Sequence, residues 1–229
     1  MTLGAEHDAL VNLERIRATI EAACDRSGRD ASDVLLVAAA KTAPPELVQL
    51  VVDAGVGAVG ENYVRELRDK RRAVRGTVRW HFLGTLQTNT AHHVAALADV
   101  VETLSSEHAT TRLARRAAEA GRTLEALIEV DFTGERAGVA PEETLAYTHR
   151  VVDLEGIDIV GLMTLPPLLD NAEDARPWFV KLRDLRDRVR EKHPQVLELS
   201  MGMSLDYAVA VEEGATMVRI GTALFGPRS

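Results

Sequence analysis

The amino-acid sequence predicts an α/β protein, folded as a single TIM-type (β/α)8 barrel with an extra helix at its N-terminus. Apolar runs of strand length alternate with helical patterns about eight times, which indicates a parallel sheet. The chain has 229 residues, close to the about 250 that one closed barrel typically needs. Because no linker or low-complexity segment interrupts the alternation, we expect residues 1–229 to form one domain.

The N-terminal half begins with an amphipathic helix over residues 6–28, whose apolar residues recur at helical spacing. The continuous apolar run at 34–40 is typical of a strand buried on both faces. Pro44 and Pro45 suit the first turn of the next helix. The segments predicted after them are a helix to about 54, a strand at 56–60, a helix at 62–76, a strand at 78–83 and a helix at 88–98.

The same alternation continues through the C-terminal half. The predicted segments are a strand at 100–104, a helix at 107–121, a strand at 124–130, a helix at 142–153, a strand at 157–162, a helix at 172–192, a strand at 196–199, a helix at 205–213 and a strand at 217–220. The carboxyl ends of the strands of such a barrel meet at one mouth, where barrel enzymes carry their active sites. We therefore look for functional residues directly after the strands.

Composition narrows the class of protein. Hydrophobic residues make up 46% and charged residues 27%, the balance of a soluble globular protein. A net charge of -8 argues against nucleic acid or an anionic membrane as partner. No apolar run approaches the about 20 residues of a membrane span, and the N-terminus has no secretory signal, so we expect a cytoplasmic protein. The basic clusters at 70–72 and 115–116 fall in helical patterns and are expected to be solvated.

Lys41 ends the first predicted strand, just before the two prolines. A lysine amine held at an apolar strand end can act as a nucleophile toward carbonyl carbons. The alternative is that the lysine only marks the exit of the strand into water. The stretch by itself leaves both interpretations open.

The loops after the seventh and eighth strands predict a phosphate site. They contain Ser200, Gly202, Ser204, Gly221 and Thr222. In TIM barrels these two loops and a short extra helix commonly bind phosphate through backbone N–H groups. Glycine permits close approach, and a hydroxyl adds a donor. Ordinary turn chemistry, with Ser204 capping the helix that follows it, is the alternative.

The run Gly55-Val-Gly57-Ala-Val-Gly60 matches the letters of a dinucleotide-binding fingerprint but not its context. That fingerprint needs a strand before it and an acidic residue about 20 positions later. Here a helical pattern precedes it, and position 80 is Trp80. We interpret the glycines as a helix end and the entry to the second strand.

The histidines do not predict a metal site. His92 and His93 are adjacent, so on a helix they point roughly 100° apart and do not easily share one ion. His81 ends the third predicted strand without a partner at ligand spacing. Cys24 is the only cysteine, which excludes an internal disulfide and a cysteine-rich metal site. We expect His81 to lie in the barrel mouth, near a ligand.

Several motifs together resemble those of a known family. They are Lys41-Thr42, Gly60-Glu-Asn62-Tyr63-Val64, Trp80-His81-Phe82-Leu83-Gly84, Leu86-Gln87, Gly161-Leu-Met163, Leu199-Ser200-Met-Gly202-Met-Ser204 and Met217-Val-Arg219-Ile-Gly221-Thr222-Ala-Leu-Phe-Gly226. As an ordered set across residues 41–226 they resemble the pyridoxal phosphate homeostasis proteins, whose barrel is that of the alanine racemase N-terminal domain.

The resemblance implies a site for the vitamin B6 cofactor pyridoxal 5'-phosphate. Lys41 would form the Schiff base (internal aldimine) with the cofactor, Asn62 would lie close to it, and Arg219 would face the pyridine nitrogen. The full expected set of cofactor-binding residues is Lys41, Asn62, His81, Ser200, Met201, Gly202, Arg219, Gly221 and Thr222. Within that set, Ser200, Gly221 and Thr222 would hold the phosphate. Arginine only donates hydrogen bonds, so it leaves the pyridine neutral and a poorer electron sink.

Three positions depart from the family pattern. The segment after the third strand carries Thr85 and Thr90 where the family usually has a histidine and a lysine. The loop at 134–139 lacks the expected lysine, although Arg136 supplies a charge. These departures bear on functions that need basic loop residues.

The resemblance implies intracellular homeostasis of pyridoxal phosphate, by storage, buffering or delivery of the cofactor without classical turnover. Pyridoxal-phosphate-dependent apoenzymes would then be possible partners, and we expect a monomer. Two alternatives stay open. One is a racemase-like enzyme that uses pyridoxal phosphate, although racemases of this type complete their site with a second domain. The other is a Schiff-base aldolase acting on a phosphorylated carbonyl compound without a cofactor.

Overall fold

The fold is a closed barrel of eight parallel strands. The structure, a computed structural model, describes residues 3–226, so the first two residues and the last three lie outside it. Each strand pairs with the next in sequence order, and β8 pairs with β1 to close the barrel. The predicted (β/α)8 architecture is confirmed.

The bounds of the elements follow the predicted alternation closely. The strands are β1 Leu35–Ala39, β2 Ala58–Glu61, β3 Arg79–Phe82, β4 Val100–Leu104, β5 Leu124–Val130, β6 Ile157–Thr164, β7 Glu198–Ser200 and β8 Met217–Ile220. The α-helices are α1 Leu3–Ser27, α2 Pro45–Asp53, α3 Val64–Ala73, α4 Ala91–Leu97, α5 Glu107–Glu119, α6 Thr144–Val151, α7 Arg176–Arg190, α8 Tyr207–Glu212 and α9 Thr222–Phe225. Short 3-10 turns precede β1 and α7, at Ala31–Asp33 and Ala172–Ala175.

Helix α1 is the predicted extra helix, and it packs outside the barrel. Leu13 and Ile16 of its apolar stripe are buried. The Asn12 side-chain amide donates to the backbone oxygen of Leu224 in α9, and Arg26 pairs with Glu212 at the end of α8. These contacts hold α8 and α9 against α1, and each of these two helices follows one of the predicted phosphate loops.

The interior of the barrel changes from apolar to polar along the strands. Alternate residues of a strand point to the same face, so Val100 and Glu102 of β4 both point inward, as do Met217 and Arg219 of β8. Val100 and Met217 belong to a buried apolar cluster inside the barrel. Glu102 and Arg219, two residues nearer the carboxyl ends, are buried as well. A polar layer thus lies between the apolar floor and the mouth.

Lys70 corrects the prediction that residues 70–72 form a solvated helix face. Its side chain is buried, and the ammonium group lies 2.5 Å from Glu61 Oε1 at the end of β2. The ammonium also donates to the backbone oxygen of Ala40 at 2.6 Å. Sequence periodicity could not reveal this, because both partners come from other elements. Arg72, by contrast, is exposed as predicted.

The glycines at 55–60 have the structural role predicted for them. Helix α2 ends at Asp53, and Gly55 follows with φ +90°, a conformation that favours glycine. Strand β2 then begins at Ala58. The segment therefore leads from a helix into a strand, the reverse of the order in a dinucleotide-binding fingerprint.

Candidate functional site at the barrel mouth

A hydrogen-bonded network crosses the polar layer of the barrel. Arg219 of β8 donates through Nη1 to Ser200 Oγ at 2.5 Å and through Nη2 to the backbone oxygen of Thr164 at 2.9 Å. Ser200 of β7 in turn donates its hydroxyl hydrogen to Glu102 Oε2 at 2.5 Å. Glu102 Oε2 also lies 3.7 Å from Arg219 Nη1. The network links the side chains of three strands and fixes the guanidinium.

Glu102 extends the network to His81 of β3. Its Oε1 lies 2.6 Å from His81 Nδ1, and both side chains are completely buried. Burial by itself would raise the pKa of Glu102, but the hydrogen bond and charge of His81, the charge of Arg219 and the Ser200 hydroxyl together lower it. Because an ionised carboxylate only accepts hydrogen bonds, His81 Nδ1 is the donor. His81 Nε2 is buried without a hydrogen-bond partner among the described residues.

Arg219 is a buried cation with three carboxylates around it. Burial lowers its pKa, while the carboxylates of Glu102, Glu129 and Asp206 raise it, and an arginine stays protonated in proteins. Burial raises the pKa of Glu129 and of Asp206, and the charge of Arg219 partly offsets both effects. The guanidinium is therefore a permanent hydrogen-bond donor held in one orientation.

Lys41 lies just beyond β1, in a turn at the rim of the barrel. The residue is half-buried and follows the carboxyl end of β1, where the mouth of the barrel lies. The ammonium lies 5.2 Å from the centroid of the Tyr63 ring. No carboxylate of residues 3–226 forms a salt bridge with it. The amine is accordingly free to meet a ligand.

Asn62 lies on the same rim, directly after β2. Residues Ala39 and Gly60 pair between β1 and β2, which brings the Asn62 segment next to the strand that carries Lys41. The Asn62 side-chain amide donates to the backbone oxygen of Leu83 at 3.4 Å. Gly84 packs so closely against the backbone of Asn62 that a side chain there would collide with its carbonyl group. This explains why glycine follows Leu83.

The loop after β7 is a tight turn. Gly202 has φ +94°, and a Cβ atom at this position would collide with Ala210. The backbone oxygen of Gly202 accepts from the Arg219 N–H at 2.9 Å. The side chain of Met201 is buried in the main hydrophobic core, so only its backbone can take part in a site.

The loop after β8 leads into the short helix α9, of the kind that phosphate-binding barrels commonly have there, although no helix was predicted for residues 222–225. Gly221 lies against the backbone of Ala39 in β1, and Thr222 is exposed. Within residues 3–226, no acceptor is found for the backbone N–H groups of Gly221 and Thr222. Ser204 Oγ accepts from the Ala223 N–H at 3.0 Å, so Ser204 caps α9. The turn-chemistry alternative had Ser204 capping α8, the next helix in the chain.

Barrel closure brings the predicted residues to two levels of one mouth. Lys41, Asn62, Gly221 and Thr222 lie on the rim, and His81, Ser200 and Arg219 lie below it in the buried network. Glu102, which connects His81 to Ser200, was not predicted from the sequence. The available signal was an acidic residue in the middle of an apolar strand.

The positions that depart from the family pattern lie in loops. Thr85 is exposed, and the Thr90 hydroxyl donates to the backbone oxygen of Gln87. In the loop after β5, the Asp131 carboxylate accepts from the backbone N–H of Thr133 and of Arg136. The Arg136 side chain is exposed. The Asp131 carboxylate therefore holds the backbone of this loop, although the expected lysine is absent.

The described residues contain no group of three histidine, cysteine, aspartate or glutamate side chains placed to hold a metal ion. His92 and His93 are exposed on α4, with ring centroids 3.8 Å apart.

None of the helices in residues 3–226 combines the length and the apolar character that crossing a membrane requires.

We expect Glu61 to make the stability of the protein depend on pH. Burial raises its pKa from 4.5 to about 7, although Lys70 partly offsets the effect. Between these two pH values the folded protein holds a proton that the unfolded chain has lost, so the free energy of unfolding falls as pH rises. The slope from this group is at most about 1.4 kcal/mol per pH unit. Urea unfolding at several pH values from 5 to 8 should show a shallower decrease in Glu61→Gln than in the natural protein.

Glu125→Gln serves as the control for this prediction. Glu125 forms an ion pair with Arg79 in which both side chains are about two-fifths exposed, at 40% and 43%. Its removal should leave the slope unchanged. Equal slopes in the natural protein and in Glu61→Gln would contradict the prediction.

Comparison with known proteins places the chain in a family. The alanine racemase N-terminal domain family matches residues 11–229. The pyridoxal phosphate homeostasis protein of Aquifex aeolicus is 40% identical over 225 residues, which cover 96% of this chain and 99% of that protein. The Escherichia coli protein of the same name is 35% identical over 233 residues, with 97% of each chain covered.

Solved structures agree with these matches. The structure of PipY from Synechococcus elongatus PCC7942 with pyridoxal phosphate bound has a TM-score of 0.81 and 32% identity, and the match covers 91% of this chain and all of that one. An alanine racemase of Clostridium difficile has a TM-score of 0.77 at 17% identity, and the match covers 97% of this chain but 56% of that one. The second likeness concerns the fold alone. The chain belongs to the family of the pyridoxal phosphate homeostasis proteins, whose barrel is that of the alanine racemase N-terminal domain.

Proposed function

We propose that this protein binds pyridoxal phosphate through Lys41 and serves its intracellular homeostasis, by storing, buffering or delivering the cofactor without classical turnover. The observation that carries the proposal is the pairing of β1 with β8. It sets the Lys41 amine, which has no ion pair among residues 3–226, beside a loop with two N–H groups that find no acceptor in the same part of the chain. The names of the relatives and the ligand bound to PipY support the same assignment.

The residues at the mouth fit the chemistry of this cofactor. When bound, pyridoxal phosphate supplies an aldehyde that condenses with an amine and releases water. Lys41 is the amine in the proposal, and the N–H groups of Gly221 and Thr222 are the first donors to the phosphate, with the turn at Gly202 beside them. The Ser200 hydroxyl hydrogen is used by Glu102, so Ser200 lines the site mainly by holding Arg219.

Two further residues complete the proposed site. Arg219 faces the pyridine nitrogen as a permanent donor, and His81 offers the buried Nε2 atom that has no partner among residues 3–226. Asn62 contributes from the rim, and Met201 contributes through its backbone only. Because a guanidinium does not protonate the pyridine nitrogen, the ring stays a weak electron sink. This favours a carrier over an enzyme that forms carbanions.

The proposal has consequences for the protein as a whole. Residues 1–229 act as one cofactor-binding domain, and the protein is a monomer in the cytoplasm. Apoenzymes that depend on pyridoxal phosphate receive the cofactor from it.

A racemase-like activity is the second candidate, since the alanine racemases share the barrel. An aldolase that uses Lys41 directly would need no cofactor at all.

Uptake of the cofactor tests the proposal. The purified protein, mixed with pyridoxal phosphate and dialysed, should retain about one cofactor per chain and show a yellow colour that borohydride removes, as expected for a lysine adduct. Pyridoxal without its phosphate should be retained much less, because it lacks the group that the N–H donors bind. A protein that stays colourless and retains no cofactor would refute the proposal. Racemisation of an amino acid well above the rate of free cofactor would favour the second candidate.

A further inference from the structure

The backbone on both sides of Lys41 is held by side chains of a single helix. Lys70 of α3 donates through Nζ to the backbone oxygen of Ala40 at 2.6 Å. Glu66, one turn earlier on the same helix, accepts the backbone N–H of Thr42 through Oε2 at 3.0 Å. Lys41 therefore lies between two backbone groups whose hydrogen-bond partners both belong to α3.

Lys70 is fully engaged in these contacts. An ammonium group has three hydrogens, and Lys70 directs them at the Ala40 oxygen, at Glu61 Oε1 (2.5 Å) and at Glu66 Oε2 (3.3 Å). Its side chain is only 5% exposed. A buried cation with every hydrogen paired is rigid, because any movement would leave a charge or a donor unpaired.

The turn that carries Lys41 needs such support. Thr42 has φ +68°, the only positive φ among the non-glycine residues in the described part of the chain. This region is unfavourable for a β-branched residue. Within the turn itself, the Ala43 N–H donates to the Ala40 oxygen at 2.9 Å. The bonds from α3 to Ala40 and Thr42 hold the backbone in this conformation from outside the turn.

We propose that Lys70 and Glu66 are positioning residues, which hold the turn so that the Lys41 amine is presented to the mouth before a ligand arrives. The proposal rests on the function proposed for Lys41. The two residues act through the backbone of Ala40 and Thr42, and a reactive amine in a fixed position needs no reorganisation when it meets an aldehyde. Loosening the turn should therefore slow attachment at Lys41 more than it weakens binding of the rest of the cofactor.

Two variants and two controls on α3 test the proposal at pH 8. Lys70→Met removes the ammonium but keeps much of the side-chain volume, and Glu66→Met removes the acceptor of the Thr42 N–H while Lys70 and Glu61 remain paired. Arg72→Met and Asp69→Asn make the same changes of charge at exposed positions of the helix. Near-ultraviolet circular dichroism verifies that each variant is folded. If Lys70→Met does not fold, Glu66→Met carries the test.

Three measurements separate positioning from a general loss of structure. The rate of covalent attachment, trapped with borohydride and followed by mass spectrometry, should fall about tenfold or more in Lys70→Met and less in Glu66→Met. The affinity for pyridoxine 5'-phosphate, which has an alcohol in place of the aldehyde, should change less than about threefold. Amide exchange at Thr42 in the ligand-free protein should accelerate about tenfold in both variants. Both controls should match the natural protein.

Each result decides one of the two proposals. A folded Lys70→Met that attaches the cofactor at the natural rate and protects the Thr42 amide equally would overturn the positioning role. Equal losses for pyridoxine 5'-phosphate and pyridoxal phosphate would overturn it too, since they indicate a damaged site. If the natural protein attaches no cofactor, the proposed function fails, and amide exchange at Thr42 alone then decides whether α3 holds the turn.

Discussion

Lys41→Ala is expected to abolish covalent attachment of pyridoxal phosphate. In the proposed site this amine is the nucleophile, and no other lysine follows the end of a strand. The variant should be colourless after dialysis, and borohydride should trap no adduct that mass spectrometry detects. Because Lys41 is half-buried and has no ion pair within residues 3–226, the free energy of unfolding should change by less than about 1 kcal/mol.

Lys192→Ala is the matched control, because Lys192 is exposed and lies outside the proposed site. It should retain both the colour and the adduct. Lys41→Ala should also keep a weaker, non-covalent affinity, since the N–H groups of Gly221 and Thr222 remain. An adduct of unchanged yield on another lysine of Lys41→Ala would contradict the assignment.

Glu102→Leu is expected to be strongly destabilising. The change removes the acceptor of His81 Nδ1 and of the Ser200 hydroxyl, and it removes the carboxylate nearest to Arg219. Taking away one partner of a buried ion pair typically costs about 3–5 kcal/mol. Urea unfolding followed by tryptophan fluorescence measures the loss. Because the pKa of Glu102 is lowered, its stabilising contribution is present above its unfolded pKa and is lost as pH falls.

Two comparisons make the Glu102 result specific. Glu125→Leu, in the exposed ion pair with Arg79, should cost only about 0–1 kcal/mol. In the Glu102→Leu background, Arg219→Met should cause no further loss of stability, because it removes the cation that the first change left unpaired. If Glu102→Leu is no more destabilising than Glu125→Leu, the network does not hold the polar layer together.

The network also affects how Arg219 can be tested. A glutamate at position 219 would lie among Glu102, Glu129 and Asp206, all of them buried. Repulsion between buried carboxylates would then disturb the whole mouth. Arg219→Met removes the donor without adding a charge, so it is the cleaner probe of the contact proposed with the pyridine nitrogen.

The sequence by itself was sufficient to predict the architecture. Periodicity is a local property, so eight strands and their helices could be recognised from residues close together in the chain. The seventh strand was predicted at 196–199 and lies at Glu198–Ser200, and the helix predicted at 172–192 begins with a 3-10 turn. Such errors at element ends arise because the terminal residues obey caps and tertiary contacts more than periodicity.

The candidate site residues that lie at strand ends could also be predicted from the sequence. Lys41 follows the first strand, and the glycine and hydroxyl residues at 200–204 and 221–222 follow the last two. Barrel closure alone brings these positions to one mouth, so knowledge of the fold class was enough to group them.

Only the tertiary structure revealed what surrounds these residues. Ser200 and Glu102 are 98 residues apart in the chain, yet the Ser200 hydroxyl donates a hydrogen bond to the Glu102 carboxylate. Lys70, which belongs to a basic helical run, is buried beneath the Lys41 turn because Glu61, Glu66 and Ala40 provide acceptors there. A charged residue is buried only where other elements supply partners, and periodicity carries no information on that supply. The sequence therefore determined the barrel and the location of its mouth, and three-dimensional packing determined which polar groups hold the amine and the guanidinium in place.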